Sequence, residues 1–296
     1  MDEFGTIRPL VGPPIVVGYD GSAASDAAAR WAAGTAERLG RRVRMIHVMP
    51  WPVIRSTSGA SLLAGREVLE RAAERLLEKA CRRLRSGYPE VAIEAEVTIG
   101  DLVPSLLRAG AGAAMLVLGS RGLGEVRELT EGSVTTHVAT HATGPVVVVP
   151  AGWSPRPGDV VVGVDGSAHG RNAIGFAFRF AEEAGESVRA VLAWHDPQST
   201  GPGDMRFPVT DPDALEEDSA AVLGEAVAGQ AVDHPDVKTT EKLVHGIAAT
   251  VLVDESRDAS LLVVGSHGRG RLRGLLLGSV SRAVLHHAAC PIAVVR

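Results

Sequence analysis

Two glycine-rich stretches hold the residues whose types and spacing could do chemistry. Gly265-Ser266-His267-Gly268-Arg269-Gly270 is closed by Gly278-Ser279-Val280, and Gly119-Ser120-Arg121-Gly122-Leu123-Gly124 is closed by Gly132-Ser133-Val134. Both fit one template: Gly, two residues, Gly, nine residues, Gly-Ser. Glycines let backbone N–H groups come close to an anion, and a helix opened by Gly-Ser adds the positive end of its dipole. The pattern therefore suits a di- or triphosphate, with the Ser133 hydroxyl as a further donor. The Walker pattern GxxxxGK[ST] occurs nowhere in the chain, so ordinary P-loop phosphoryl transfer lacks its lysine. Arg121, and Arg269 or Arg271, are the cations close enough in sequence to replace part of that charge.

A second pair of motifs is acidic. Gly18-Tyr19-Asp20-Gly21-Ser22 returns as Gly163-Val164-Asp165-Gly166-Ser167. Asp20 or Asp165 could accept a hydrogen bond from a ribose hydroxyl, or hold a phosphate-bound Mg²⁺ through water. The same residues could instead serve the backbone, since Asp before Gly-Ser is also a helix cap or an Asx turn. Both roles stay open on sequence alone.

The elements that must position these motifs are duplicated as well. The Asp-Gly-Ser motifs are offset by 145 residues, and the glycine loops by 146. Gly144-Pro145-Val146-Val147 likewise returns as Cys290-Pro291-Ile292-Ala293. Three landmarks in the same order indicate a tandem duplication. Short apolar runs at 15–19, 43–49, 91–99, 115–118 and 145–149 read as strands, repeated near 160–164, 188–194, 237–244, 261–264 and 292–295. Helices alternate with them, including a long one from about 62 to 85 with Leu69, Ala73, Leu76, Leu77 and Leu84 at helical spacing. Ser22 or Ser25 can cap the first helix, and Gly40 can end it. The segment from His195 to Asp213 reads as a long loop.

Strands alternating with helices predict an α/β fold: two tandem Rossmann-like, flavodoxin-like open parallel sheets of five strands each, in the order 3-2-1-4-5. The linker from Pro150 to Gly158 divides the chain into domains at 1–155 and 156–296. In that order the strand reversal falls between the strands ending in Asp20 and Gly119, so motifs far apart in sequence meet in one crevice.

Composition narrows the function classes. The chain has 296 residues, 45% apolar and 4% aromatic, with a net charge of −5. That supports two real cores and shows no basic stripe, so no nucleic-acid partner is expected. No apolar run approaches the ~20 residues of a membrane helix, so no membrane partner is expected. Cys81 and Cys290 lie in different halves without CxxC spacing, which predicts free thiols and a cytoplasmic protein. His137 and His141 stand four apart on a helix without an evident third ligand, so no metal site is assigned. No GxSxG elbow is present, and no catalytic residue is assigned.

With these motifs in view, the sequence resembles a tandem-domain universal stress protein, whose ATP-binding members have adenine-nucleotide-hydrolase-like domains and carry G-2x-G-9x-G-[S/T]. The likeness covers 14–150 and 159–296. It implies ATP, with or without Mg²⁺, as ligand, and a stress-response role that senses or sequesters nucleotide with at most slow hydrolysis. It implies that Gly119, Ser120, Arg121, Gly122, Gly124, Gly132, Ser133 and Val134 hold phosphate and ribose, with Gly18 and Asp20 beside them and Val48 near adenine. Gly163, Asp165, Gly265, Ser266, His267, Gly268, Arg269, Gly270, Gly278, Ser279 and Val280 serve likewise in the second half, with Trp194 or His195 at the adenine end. A homodimer of tandem chains and a regulated protein partner are also implied. Ala114 and Ser260 replace the acidic residue often found before the fourth strand. Two other classes remain as alternatives: a Mg²⁺-dependent ATPase or adenylyl-transfer enzyme, and an interaction module that holds no ligand.

Overall fold

The computed structural model describes residues 12–50, 59–120, 133–195, 198–200, 206–208, 211–268 and 277–296. The chain divides into two compact units between Ser154 and Pro155.

The first unit runs β1 (Ile15–Gly18), α1 (Ala23–Leu39), β2 (Val43–Met49), α2 (Gly59–Gly87), β3 (Ile93–Ile99), α3 (Leu102–Gly110), β4 (Met115–Gly119), α4 (Ser133–His141) and β5 (Val146–Val149). Its strands are parallel and pair in the order β3-β2-β1-β4-β5. Helices α1 and α2 pack on one face of the sheet and α3 and α4 on the other. Ile15, Val16 and Val17 are completely buried because β1 is covered on both faces, which is why its sequence is uniformly apolar rather than alternating. The edge strand β3 instead exposes Glu94, Ala95 and Glu96. Charge on an edge discourages pairing with another chain.

The second unit runs β6 (Asp159–Gly163), α5 (Ala168–Ala184), β7 (Val188–Trp194), β8 (Gln198–Thr200), β9 (Arg206–Pro208), α6 (Pro212–Ala231), β10 (Thr239–His245), α7 (Ala248–Glu255), β11 (Ala259–Gly265), α8 (Ser279–His287) and β12 (Ile292–Val295). Its parallel order is β10-β7-β6-β11-β12. The α/β class and the two Rossmann-like sheets are those the sequence predicts. Gly40 takes the left-handed C-cap position of α1, with its amide bonded to the Ala36 carbonyl.

Three local departures have physical causes. Val91 stands outside β3, because its amide closes a turn onto the Tyr88 carbonyl at 3.2 Å. The segment from His195 to Asp213 contains an antiparallel pair, β8 with β9, where an irregular loop is expected from its Pro, Gly and Asp content. Its last residues already belong to α6: the Asp211 side chain accepts from the Asp213 amide at 3.2 Å, and Pro212 fills the first turn, where no intrahelical donor is needed. Among the described residues no helix is long and apolar enough to cross a membrane. Cys81 and Cys290 are free and buried.

Candidate functional site

Every strand in each five-stranded sheet points the same way, so the residues that follow β1 and β4, or β6 and β11, emerge at one carboxyl edge. The β1–α1 turn is built by its own sequence. Asp20 Oδ1 accepts from the Ser22 amide at 3.0 Å, an Asx turn. Gly21 has φ of 85°, which only glycine adopts cheaply. Ser22 Oγ then caps α1 by accepting from the Ser25 amide at 3.1 Å. The second unit repeats each step: Asp165 Oδ1 accepts from the Ser167 amide at 2.9 Å, Gly166 has φ of 72°, and Ser167 Oγ accepts from the Gly170 amide at 3.0 Å. One carboxylate oxygen of each Asp thus serves the backbone, the structural role that the sequence leaves open.

The other oxygen of Asp165 faces the glycine loop. A Cβ placed on Gly268 would lie 2.7 Å from Asp165 Oδ2, closer than any side chain could stand. Ser167 Oγ also donates to the His267 carbonyl at 3.4 Å. Two motifs 103 residues apart by number, at 165 and 268, therefore meet in one crevice, as the strand reversal requires. The first glycine of each loop makes a different close approach. A Cβ on Gly265 would lie 2.9 Å from the His169 carbonyl carbon, and one on Gly119 would lie 2.6 Å from the Ala24 carbonyl carbon. These glycines allow the loop to start directly against the first turn of α5 or α1. Their need for a bare backbone is thus set by packing as well as by any ligand.

The far side of the second loop is held by α8. Gly278 donates its amide to the Ser266 carbonyl at 2.8 Å, which ties the start of α8 to the end of β11. Gly278 is the N-cap and has no side chain to satisfy the amides of the first turn. Those N–H groups and the helix dipole form the positive end of the crevice. Ser279 is exposed there, and Val280 is half-buried. Ser281 was not singled out by sequence, yet its Oγ donates to the Gly265 carbonyl at 2.6 Å. Thr135 holds the matching place in the first unit, donating to the Gly119 carbonyl at 3.4 Å. The signal was available: a hydroxyl residue stands three places after the closing glycine in both copies.

Further residues complete the two edges. Ser120 Oγ accepts from the Ala151 amide at 3.1 Å, so the first loop is tied to the segment that leaves β5. Ser266, its counterpart, is completely buried, with Oγ 3.2 Å from His267 Nδ1. Val48 is buried near the end of β2, in register with Thr98. Trp194 ends β7 and meets His245 of β10 edge-on, ring centroids 4.5 Å apart, while His195 is exposed. Gly18 and Gly163 end β1 and β6 against apolar side chains, Leu118 of the neighbouring strand and Leu106 of α3 at Gly18, and Leu252 of α7 at Gly163. Behind the first crevice, Tyr19 Oη donates to Asp26 at 2.6 Å and Arg83 donates to both groups. Burial, then the Asp26 carboxylate, hold the Tyr19 phenol well above its ordinary range. The sequence-assigned Arg121, Gly122, Gly124, Gly132, Arg269 and Gly270 lie outside the described residues. Ser133 and Val134 open α4.

No group of three metal-ligating side chains stands together among the described residues. His137 and His141 lie 6.1 Å apart on α4, and His141 Nδ1 donates to the His137 carbonyl.

The comparisons agree with this architecture. The universal stress protein family model matches residues 13–150 and again 158–296. A universal stress protein of Mycolicibacterium smegmatis is 35% identical over 290 residues, covering 95% of this chain and 96% of that one. One from Mycobacterium tuberculosis strain H37Rv is 35% identical over 305 aligned positions, covering 95% and 94%. Among solved structures, a universal stress protein from Archaeoglobus fulgidus superposes with a TM-score of 0.70 at 16% identity, covering 96% of this chain and 98% of that one, a likeness of fold. With two family matches that together span nearly its whole length, the chain belongs to the universal stress protein family, as a tandem-domain member.

Proposed function

We propose that the chain binds ATP, one molecule in each half, and acts as a regulatory protein of the stress response that senses or holds nucleotide rather than turning it over rapidly. The observation that carries this reading is the meeting of Asp165, the Gly265–Gly268 turn and the side-chain-free N-terminus of α8 in one crevice. The helix end and loop amides match a phosphate chain, and a carboxylate at the opposite wall matches a ribose hydroxyl. The first half offers the same Asx turn and the same close approach at Gly119. On this reading Val48 lies at the adenine end of the first half, and Trp194 or His195 at that of the second.

Mg²⁺ enters this reading with the triphosphate, ligated by phosphate oxygens and water. Asp20 and Asp165 each spend one oxygen on the backbone turn, so they are better suited to outer contacts than to holding a bare cation. The missing Walker lysine and the turn-bound aspartates together favour a nucleotide holder over an ATPase or adenylyl-transfer enzyme. Calorimetric titration of nucleotide-stripped protein with ATP tests the proposal: saturable binding at two sites per chain is expected, and folded protein that takes up no ATP would overturn it.

A further inference from the structure

The two crevices share a backbone but differ in charge chemistry where the phosphates would lie. In the second half, His267 follows Ser266 on the glycine loop and His169 occupies the first turn of α5, with ring centroids 5.3 Å apart and planes tilted by 44°. Both rings are half-buried. The contact is fixed by the backbone, because Gly265 lies against the His169 main chain and Gly278 lies against the His267 Cα. The sequence positions that match these two residues in the first half are Ala24 and Arg121. In sequence, one half therefore carries a permanent cation and a methyl group at the two positions where the other carries imidazoles.

Histidine changes charge between about pH 5 and pH 8, whereas an arginine does not. Two imidazolium rings this close repel each other when the crevice is empty. A phosphate chain between the α8 amides and the loop would offset that repulsion and draw protons onto the pair. Among the described residues the other charged groups around the pair are few, and Arg269, Arg271 and Arg273 follow His267 in sequence. The β6–α5 turn contributes the Asp165 carboxylate and Arg171, whose Nη1 donates to the Gly166 carbonyl at 3.3 Å. The first turn of α8, Ser279-Val280-Ser281, is uncharged. Ser266 Oγ lies 3.2 Å from His267 Nδ1.

We propose that His169 and His267 are the specificity-determining residues of the second crevice and make its grip on a nucleotide's phosphate chain depend on protonation, in a way the first crevice does not share. The inference rests on the nucleotide reading given above. It makes the two halves responsive to different variables: the first to nucleotide concentration, the second to nucleotide and proton concentration together. Longer phosphate chains gain most, because each added charge strengthens the attraction to the imidazolium pair.

The test uses the full chain with one crevice blocked at a time. Gly122→Glu places a carboxylate in the first loop and leaves the second crevice to be observed, and Gly268→Glu does the converse. ATP is titrated into each at about pH 6 and about pH 8, at fixed ionic strength. The ligand's own titration is common to both crevices and cancels in their ratio. The second crevice is expected to tighten about five- to tenfold more than the first on acidification, and to take up protons on binding in buffers of different ionisation heat. The substitutions His169→Ala and His267→Arg, copied from the first half, should bring the pH response of the second crevice to that of the first and abolish its proton uptake. Equal shifts at the two crevices, or shifts that survive the double substitution, would overturn the histidine proposal alone. Folded Gly122→Glu chain that takes up no ATP at either pH would overturn the nucleotide reading of this crevice, and the histidine proposal with it.

Discussion

The first half and the second half hold the same backbone by different side chains. In both, an Asx turn, a left-handed glycine and a capping serine lead off the first strand, and the first loop glycine presses on the next helix. Around that shared frame the supports diverge. The first half braces its turn from behind with Tyr19, Asp26 and Arg83, while the second has Val164 and Arg171 at the matching positions of the first two. Arg44 of β2 donates to the Ala109 carbonyl at 2.8 Å. Arg189, its counterpart on β7, instead joins Asp159 at 2.5 Å and Glu255 at 3.2 Å, and Lys242 joins Glu255 at 2.6 Å. The difference teaches that the turn itself is fixed by backbone geometry, while the charged side chains behind it and at the amino ends of the strands differ between copies.

The largest expected effect comes from the glycines that admit the helix. Gly119→Ala and Gly265→Ala should each destabilise their own unit by about 1–3 kcal/mol, because the new methyl meets main-chain atoms that cannot rotate away. Gly119→Ala should cost more, since its approach is 2.6 Å against 2.9 Å. Urea unfolding followed by hydrogen exchange in each unit separates the two, and equal or negligible losses would break the claim of a backbone-fixed cradle.

A smaller effect is expected at the hydroxyl pins. Ser281→Ala should cost about 1 kcal/mol, because a short, half-buried bond to the Gly265 carbonyl is lost. Thr135→Val should cost less, its bond being 3.4 Å long. The same two substitutions, read by ATP titration, show whether the pin positions the loop: Ser281→Ala should weaken the second site more than Thr135→Val weakens the first.

The smallest effect is electrostatic. Burial alone would push the Glu255 carboxyl up, but its bonds and charge pairing with Lys242 and Arg189 outweigh burial and hold it below its usual value of 4.5. A depressed carboxyl contributes stability above its unfolded value and loses it as pH falls. The second unit should therefore weaken below about pH 4.5 more than the first, which has Arg44 on a carbonyl in place of this cluster. Hydrogen exchange across that range checks it, and Glu255→Gln should flatten the difference.

Much of this was legible in the sequence. The uniformly apolar β1, the Val160–Val162 run of β6, the repeat offsets and the Asp-Gly-Ser turns follow from local rules, because burial on both faces and positive φ each restrict residue type strongly. The convergence of Asp165 on Gly268 follows from strand order. What escaped depends on the path of the chain in space. His169 stands opposite Ala24 in the repeat, so matching the copies passes over it. Ser281 and Thr135 are ordinary helix residues until the carbonyl they meet is known. The β8–β9 pair is hidden by turn-forming composition. The Arg189 cluster joins residues from four separate elements and has no local signature.

The central claim is that each half holds one nucleotide in a crevice framed by its aspartate turn and its glycine loop. Native mass spectrometry of the chain saturated with ATP tests it most directly, alongside the Gly122→Glu, Gly268→Glu and doubly substituted chains. Two ATP per chain, one in each single variant and none in the double variant is the predicted result. A folded double variant that still retains ATP, or an unsubstituted chain that retains none, would contradict it.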